Sequence, residues 1–302
     1  MSQTSDSPAP QTTPDRTRDG MVVGIDGSDG SAYALAWAAG QTERFGPVRP
    51  VAAWQYPWWT AGGPAAIDYV PSYERLADVV RREAEDAVSG IPAASLAPLV
   101  VEEGAPGPLL VDHGADAKLI VVGTRGRGAV ADALLGSVSC HVVANATVPV
   151  AVVPAGAPVE DAHHRVVVGI DGSTNSIDAL AWALITTDPA IVIEVVHAWT
   201  YIVAAFPVAP TVPIDDLEAD AAATLDRTIA AARNAAETDR EVTRTMVAGD
   251  PRSALRAASE HADLLVVGAR GHRGFLHALL GSVTTSLVHN PAVTTVVVPA
   301  AG

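Results

Sequence analysis

Two kinds of apolar pattern alternate along the chain. Short unbroken runs, such as Leu119-Ile-Val-Val122 and Val150-Ala-Val-Val153, are what a strand buried on both faces requires, and the stretches between them carry apolar residues at helical spacing. This alternation predicts an α/β protein with parallel strands joined by crossover helices. In the first half the pattern places strands near 21–25, 48–54, 97–102, 118–122 and 149–153 and helices near 29–44, 72–90, 106–116 and 137–146. Pro106 and Pro251 directly follow Gly104-Ala and Gly249-Asp turns, where a first helical turn tolerates a missing amide proton.

The second half repeats the first. Val22 to Ala38 matches Val167 to Ala183 at 13 of 17 positions, and Leu119 to Val138 matches Leu264 to Val283 at 12 of 20, both at an offset of 145 residues. A tandem duplication explains both matches. The expected organisation is a tail at 1–20, one domain at 21–154, a linker at 155–165 and a second domain at 166–302. The tail is rich in Ser, Thr, Pro and Asp without an apolar run, so it reads as disordered and as neither a signal peptide nor a membrane anchor.

Composition narrows the partners. A length of 302 residues suits two domains, and 49% hydrophobic with 18% charged residues excludes a disordered or collagen-like chain. The net charge of −15 argues against nucleic acid or anionic lipid as the main binding partner. Lys118 is the single lysine and no G-x4-G-K-[ST] sequence occurs, so neither half has a P-loop. Cys140, the single cysteine, cannot form an intramolecular disulfide, and no Cys/His set has zinc spacing, which fits a cytoplasmic location. It reads as a small packed residue rather than a reactive thiol.

The strongest chemical signal begins where the fourth strand ends. Gly123-Thr-Arg125-Gly126 is followed, nine residues on, by Gly136-Ser137-Val138-Ser139, and the second half repeats this as Gly268-Ala-Arg270-Gly271 and Gly281-Ser282-Val283-Thr284. Glycines at the carboxyl ends of parallel strands let a ligand approach the backbone in the crevice outside the sheet. Gly136-Ser137 and Gly281-Ser282 would then open a helix whose amide protons and positive dipole end favour an anion, with the hydroxyls of Ser137, Ser139, Ser282 and Thr284 as further donors. A phosphate chain suits such a site. Arg127 in one half and His272 with Arg273 in the other could add charge. Asp26 and Asp171 stand at the tip of the first strand of each half, placed to bond a nucleoside or to help hold Mg²⁺. The alternative is that the glycines are turns, the serines caps and the aspartates Asx-turns. The Gly24, Gly27, Gly30 spacing is not a dinucleotide fingerprint, and Asn175 replaces the last glycine in the second half.

At these residues the sequence resembles the universal stress protein family in its tandem-domain form, over about 21–154 and 166–299. The resemblance implies two Rossmann-like units, each a five-stranded parallel sheet with helices on both faces, binding ATP, with Mg²⁺ on its phosphates as an option. Asp26 and Asp171, the two glycine-serine segments and the strand positions Ala53 and Ala198 would contact the nucleotide. It also implies that the last strands pair, giving an internal pseudo-dimer, and it allows whole chains to dimerise and a regulatory protein partner to read the bound state. The function expected is a stress-response regulator with one ATP site per domain, without a catalytic residue, hydrolysing ATP slowly at most. Two readings compete with it: a slow ATPase or nucleotidyl-transfer enzyme on the same scaffold, and a nucleotide-free assembly module. The Pro-rich segments carrying Trp58, Trp59 and Phe206 read either as a lid or interaction surface or as packed irregular loops.

Overall fold

The computed structural model describes residues 19–55, 73–126, 135–157, 164–200, 213–271 and 280–300. The first unit runs β1 (Met21–Gly24), α1 (Asp29–Gly40), α2 (Thr42–Phe45), β2 (Val48–Trp54), α3 (Tyr73–Val88), β3 (Val100–Glu103), α4 (Pro106–Gly114), β4 (Leu119–Gly123), α5 (Ser137–Asn145) and β5 (Val150–Val153). The second runs β6 (Arg165–Ile170), α6 (Thr174–Thr186), β7 (Val192–Trp199), α7 (Ile214–Ala235), β8 (Thr243–Ala248), α8 (Pro251–Ser259), β9 (Leu264–Gly268), α9 (Ser282–His289) and β10 (Thr294–Val298).

All ten strands form one sheet in the order β3-β2-β1-β4-β5-β10-β9-β6-β7-β8. Every pairing is parallel except β5 with β10, where Val152, Ala151 and Val150 face Thr295, Val296 and Val297. The apolar runs supply the centre of this sheet, and β5 and β10 are buried along their whole length. Because that seam is antiparallel, the carboxyl ends of the two units' strands open at opposite ends of the sheet. One face is covered by a core that includes Leu35, Trp37, Leu180 and Leu225, the other by one that includes Leu110, Val142, Leu255 and Leu287. Both cores draw residues from both units. Phe45 also stacks on Trp182 across the unit boundary, with ring centroids 6.1 Å apart and planes 10° apart.

Two boundaries differ most from the sequence expectation. The helix expected over 29–44 breaks at Gln41, whose φ of −102° and ψ of 8° leave the α region. The strand expected from 97 begins at Val100, because Pro98 has no amide proton for the ladder; before it, Ala97 still donates to the Val48 carbonyl at 2.7 Å.

The second unit has its own polar anchors. Arg240 donates to the carbonyls of Thr187, Asp188 and Ile191 at 2.9, 2.6 and 2.6 Å and to Thr187 Oγ1 at 2.8 Å, closing the carboxyl end of α6 with a positive charge. Burial of Glu194 would push its carboxyl up, but hydrogen bonds from Thr245 and from Arg165 outweigh burial and hold it below the usual range.

α7 ends in a Schellman motif, with Thr238 N–H donating to Arg233 O at 3.1 Å and Glu237 N–H to Asn234 O at 3.3 Å. Glu237 occupies the left-handed position at φ 49°, where a β-carbon costs energy that glycine avoids. Glu237→Gly is therefore expected to raise stability by about 1 kcal/mol, read as a higher urea midpoint at unchanged slope; an unchanged or lower midpoint would contradict it.

Candidate functional site

The site is built from the tip of β1, the turn after β4 and the start of α5. Gly27, at φ 73°, turns the chain in a conformation that favours glycine. Asp26 Oδ1 then accepts from Ser28 N–H at 3.0 Å and from Ser28 Oγ at 2.5 Å, while Ser28 Oγ accepts the Ser31 amide at 3.2 Å and caps α1. The second unit repeats this with Asp171, Ser173 and Ser176 at 3.0, 2.6 and 3.2 Å. Each aspartate thus makes the Asx-turn that its sequence context allowed, and its other oxygen faces the glycine turn.

Close packing explains four of the six motif glycines. A β-carbon on Gly126 would strike Asp26 Oδ2, and one on Gly271 would strike Asp171 Oδ2. On Gly123 it would strike the Gly30 carbonyl, and on Gly268 the side chain and carbonyl of Asn175. Gly136 and Gly281 are different. Their φ values are −69° and −73°, and among the described residues a β-carbon there would meet nothing closer than 3.6 Å. The packing of the described residues does not demand glycine at these two positions.

Gly136 N–H donates to Thr124 O, and Gly281 N–H to Ala269 O, both at 2.8 Å. The helix starts that follow, at α5 and α9, have no side-chain cap, so their first amides remain available to a ligand. Ser137 and Ser282 are exposed there. Ser139 and Thr284 correct the sequence expectation. Their hydroxyls are buried and donate to Gly123 O at 2.6 Å and Gly268 O at 2.7 Å, fastening helix to strand, so only their backbone amides can serve an anion.

All nine first-unit residues expected at the site line one cavity of about 380 Å³. This lies in the size range of small-molecule sites. Its apolar wall adds residues that sequence reasoning passed over, among them Ile25, Val51, Pro106, Leu110 and Leu135. Pro106 and Leu110 are four apart on α4, a spacing that signals a shared helix face without saying what it faces. Arg125 lines the same cavity and is exposed. Ala53 sits opposite Glu102 in the β2–β3 register, and Ala198 opposite Val247 in the matching β7–β8 register. Arg270 uses its backbone amide on Asn175 Oδ1 at 2.8 Å. Arg127, His272, Arg273, Trp58, Trp59 and Phe206 lie outside the described residues.

Near the cavity, Trp54 packs edge-on against Tyr73 with centroids 4.7 Å apart. The Tyr73 hydroxyl donates to Glu103 at 2.8 Å, which raises its pKa above the usual phenol value. Cys140 on α5 is half-buried, and burial pushes its thiol up, away from the thiolate that reactivity needs. Among the described residues no three His, Cys, Asp or Glu gather as a metal site, and no helix is long and apolar enough to cross a membrane.

Two α/β units sharing one sheet, each with a glycine-lined corner at the strand ends, define a tandem Rossmann-like protein. The chain belongs to the universal stress protein family, whose model matches residues 18–154 and 163–299. Universal stress protein Rv1996 of Mycobacterium tuberculosis is 32% identical over 300 residues, spanning 91% of this chain and 93% of the relative. Universal stress protein Rv2623 of the same organism is 32% identical over 289 residues, spanning 87% and 91%. The crystal structure of a universal stress protein from Archaeoglobus fulgidus is 21% identical and superposes with a TM-score of 0.62 over 93% of this chain and 98% of that one. That likeness establishes the shared fold.

Proposed function

We propose that this universal stress protein is a regulator that binds ATP in the crevice of each unit and acts through nucleotide-dependent conformation or assembly. The observation that carries the reading is the first-unit cavity of about 380 Å³, which joins an apolar wall for a base to an uncapped helix start for phosphates. Gly136 and Gly281 add support, since room for a ligand accounts for glycines that the described residues around them do not require. On a chain of net charge −15, the helix dipole and Arg125 make this corner a local exception to the acidic field.

Binding rather than rapid turnover fits the polar groups. The carboxylate at the crevice, Asp26, already serves Ser28 twice, which leaves it poorly placed as a general base. A magnesium ion would arrive with the phosphates, held mainly by them, since Asp26 is the one carboxylate among the described lining residues.

The test uses Ser137→Asp and Ser282→Asp. A carboxylate in the first turn of α5 or α9 should stabilise that helix by about 0.3–1 kcal/mol while repelling phosphate. The native chain is expected to carry about two ATP when purified or saturated, and each variant to lose about one of them, with affinity down at least about tenfold and the melting temperature of the ligand-free protein unchanged or higher. No ATP bound by the native chain in calorimetry, or affinity indifferent to both substitutions, would overturn the reading.

A further inference from the structure

Among the differences between the two units, one lies beneath the glycine turn. In the second unit Asn175, 5% exposed at the start of α6, reaches across to that turn. Its Oδ1 accepts the Arg270 amide at 2.8 Å, and its Nδ2 donates to the carbonyls of Val298 and Pro299, each at 3.1 Å. The amide orientation follows from the partners, because the reverse placement would set oxygen against two carbonyls and nitrogen against an N–H. One side chain therefore ties together the start of α6, the turn after β9 and the end of β10. Two backbone bonds at 2.8 Å, Ala269 N–H to Val298 O and Gly281 N–H to Ala269 O, complete the frame.

The first unit has Gly30 in that place and no such strut. Its turn keeps the corresponding backbone bonds, Thr124 N–H to Val153 O at 3.1 Å and Gly136 N–H to Thr124 O at 2.8 Å. Among the described residues, the Ser28 hydroxyl also donates to the Arg125 carbonyl, at 3.4 Å. The turn has settled into the space that the asparagine fills in the other unit, since a β-carbon on Gly30 would run into the Arg125 carbonyl. Gly30 thus serves as packing surface for a lower-lying, less tethered turn, and Asn175 as a pillar under a fixed one.

Resting on the reading of both crevices as ATP sites, we infer that Asn175 is a positioning residue that makes the sites unequal, the second unit's being pre-formed and the tighter. The argument is one of ordering. A turn held by the Asn175 side chain, which is itself braced by two bonds to the end of β10, gives up little freedom when phosphates dock against its amides, whereas the first unit's turn, without that strut, must be ordered more by the ligand itself. Asn175 touches no ligand in this account; it acts through the Arg270 amide and the end of β10.

Calorimetric titration of the full chain with ATP tests it. The native protein is expected to show two classes of site separated by at least about tenfold in affinity. Ser282→Asp should remove the tighter class and Ser137→Asp the weaker one. Asn175→Ala should bring the tighter class down to the weaker, leaving the weaker unchanged, with faster hydrogen exchange at the Arg270 amide. Equal classes in the native chain, or loss of the tighter class in Ser137→Asp, would overturn the inference while leaving ATP binding intact. An Asn175→Ala protein that melts earlier but keeps both affinities would show a purely structural role and overturn it too. Absence of ATP binding in the native chain would instead remove the reading on which it rests. Should Asn175→Ala not fold, the serine variants alone decide, because they assign each class to its unit.

Discussion

Val296→Asp is expected to abolish cooperative folding of the whole chain, not of its second unit alone. Val296 lies at the middle of β10 with no exposed surface, opposite Ala151 across the seam and beside Val266 of β9. A carboxylate there loses its hydration without a partner, at an effective cost of several kcal/mol, and forfeits about 1.5–3 kcal/mol of valine burial. The sum is comparable to the whole stability of an ordinary domain, about 5–15 kcal/mol. Both cores continue across the β5–β10 seam, so the loss propagates to the first unit. Circular dichroism during heating should show no sharp transition in Val296→Asp, whereas Val296→Ala should keep one cooperative transition lowered by about 2 kcal/mol. A surviving melt of about half the native amplitude in the aspartate variant would show that the units fold independently.

Arg240→Ala should cost about 3 kcal/mol and lower the melting temperature by roughly 5 °C. The guanidinium holds three carbonyls and a threonine hydroxyl in the turn leaving α6, and charged donors contribute more than neutral ones. Removal leaves those carbonyls to whatever water can reach them, and the carboxyl end of α6 loses its compensating charge. Arg240→Lys should recover only part of the loss, because one ammonium cannot span donors spread from Thr187 to Ile191. A native-like melting temperature for the alanine variant would mean that solvent satisfies this turn without help.

The architecture was legible because the repeat and the apolar runs agree. Each run from Met21, Leu119 and Val150 became a strand at the sheet centre, since a continuous apolar stretch bounded by turns has few other uses. The seam was legible only through family resemblance, as nothing in Val150–Val153 or Thr294–Val298 says that these strands would pair with each other. Local punctuation was underweighted: Pro98 delayed β3 and Gln41 split the first helix. At the candidate site, motif spacing brought eight residues to one cavity and the family resemblance added Ala53, but neither revealed what each does there. That Ser139 faces inward to Gly123 and Gly136 faces open space follows from how α5 sits on β4. Asn175 was visible as a departure from Gly30, yet its three partners are 95 to 124 residues away in sequence, beyond the reach of any local pattern.

The antiparallel seam has a consequence for dilution. Two separate single-unit chains meeting through such strands would part as their concentration fell, because their pairing would be a bimolecular equilibrium. Here β5 and β10 belong to one polypeptide, and the short segment between Val153 and Arg165 keeps each strand at a high effective concentration for the other. The pairing is a folding event with a stoichiometry of one to one. Whatever the protein senses, it does not sense through the coming and going of this contact, and the pairing holds equally when the protein is scarce and when it is abundant.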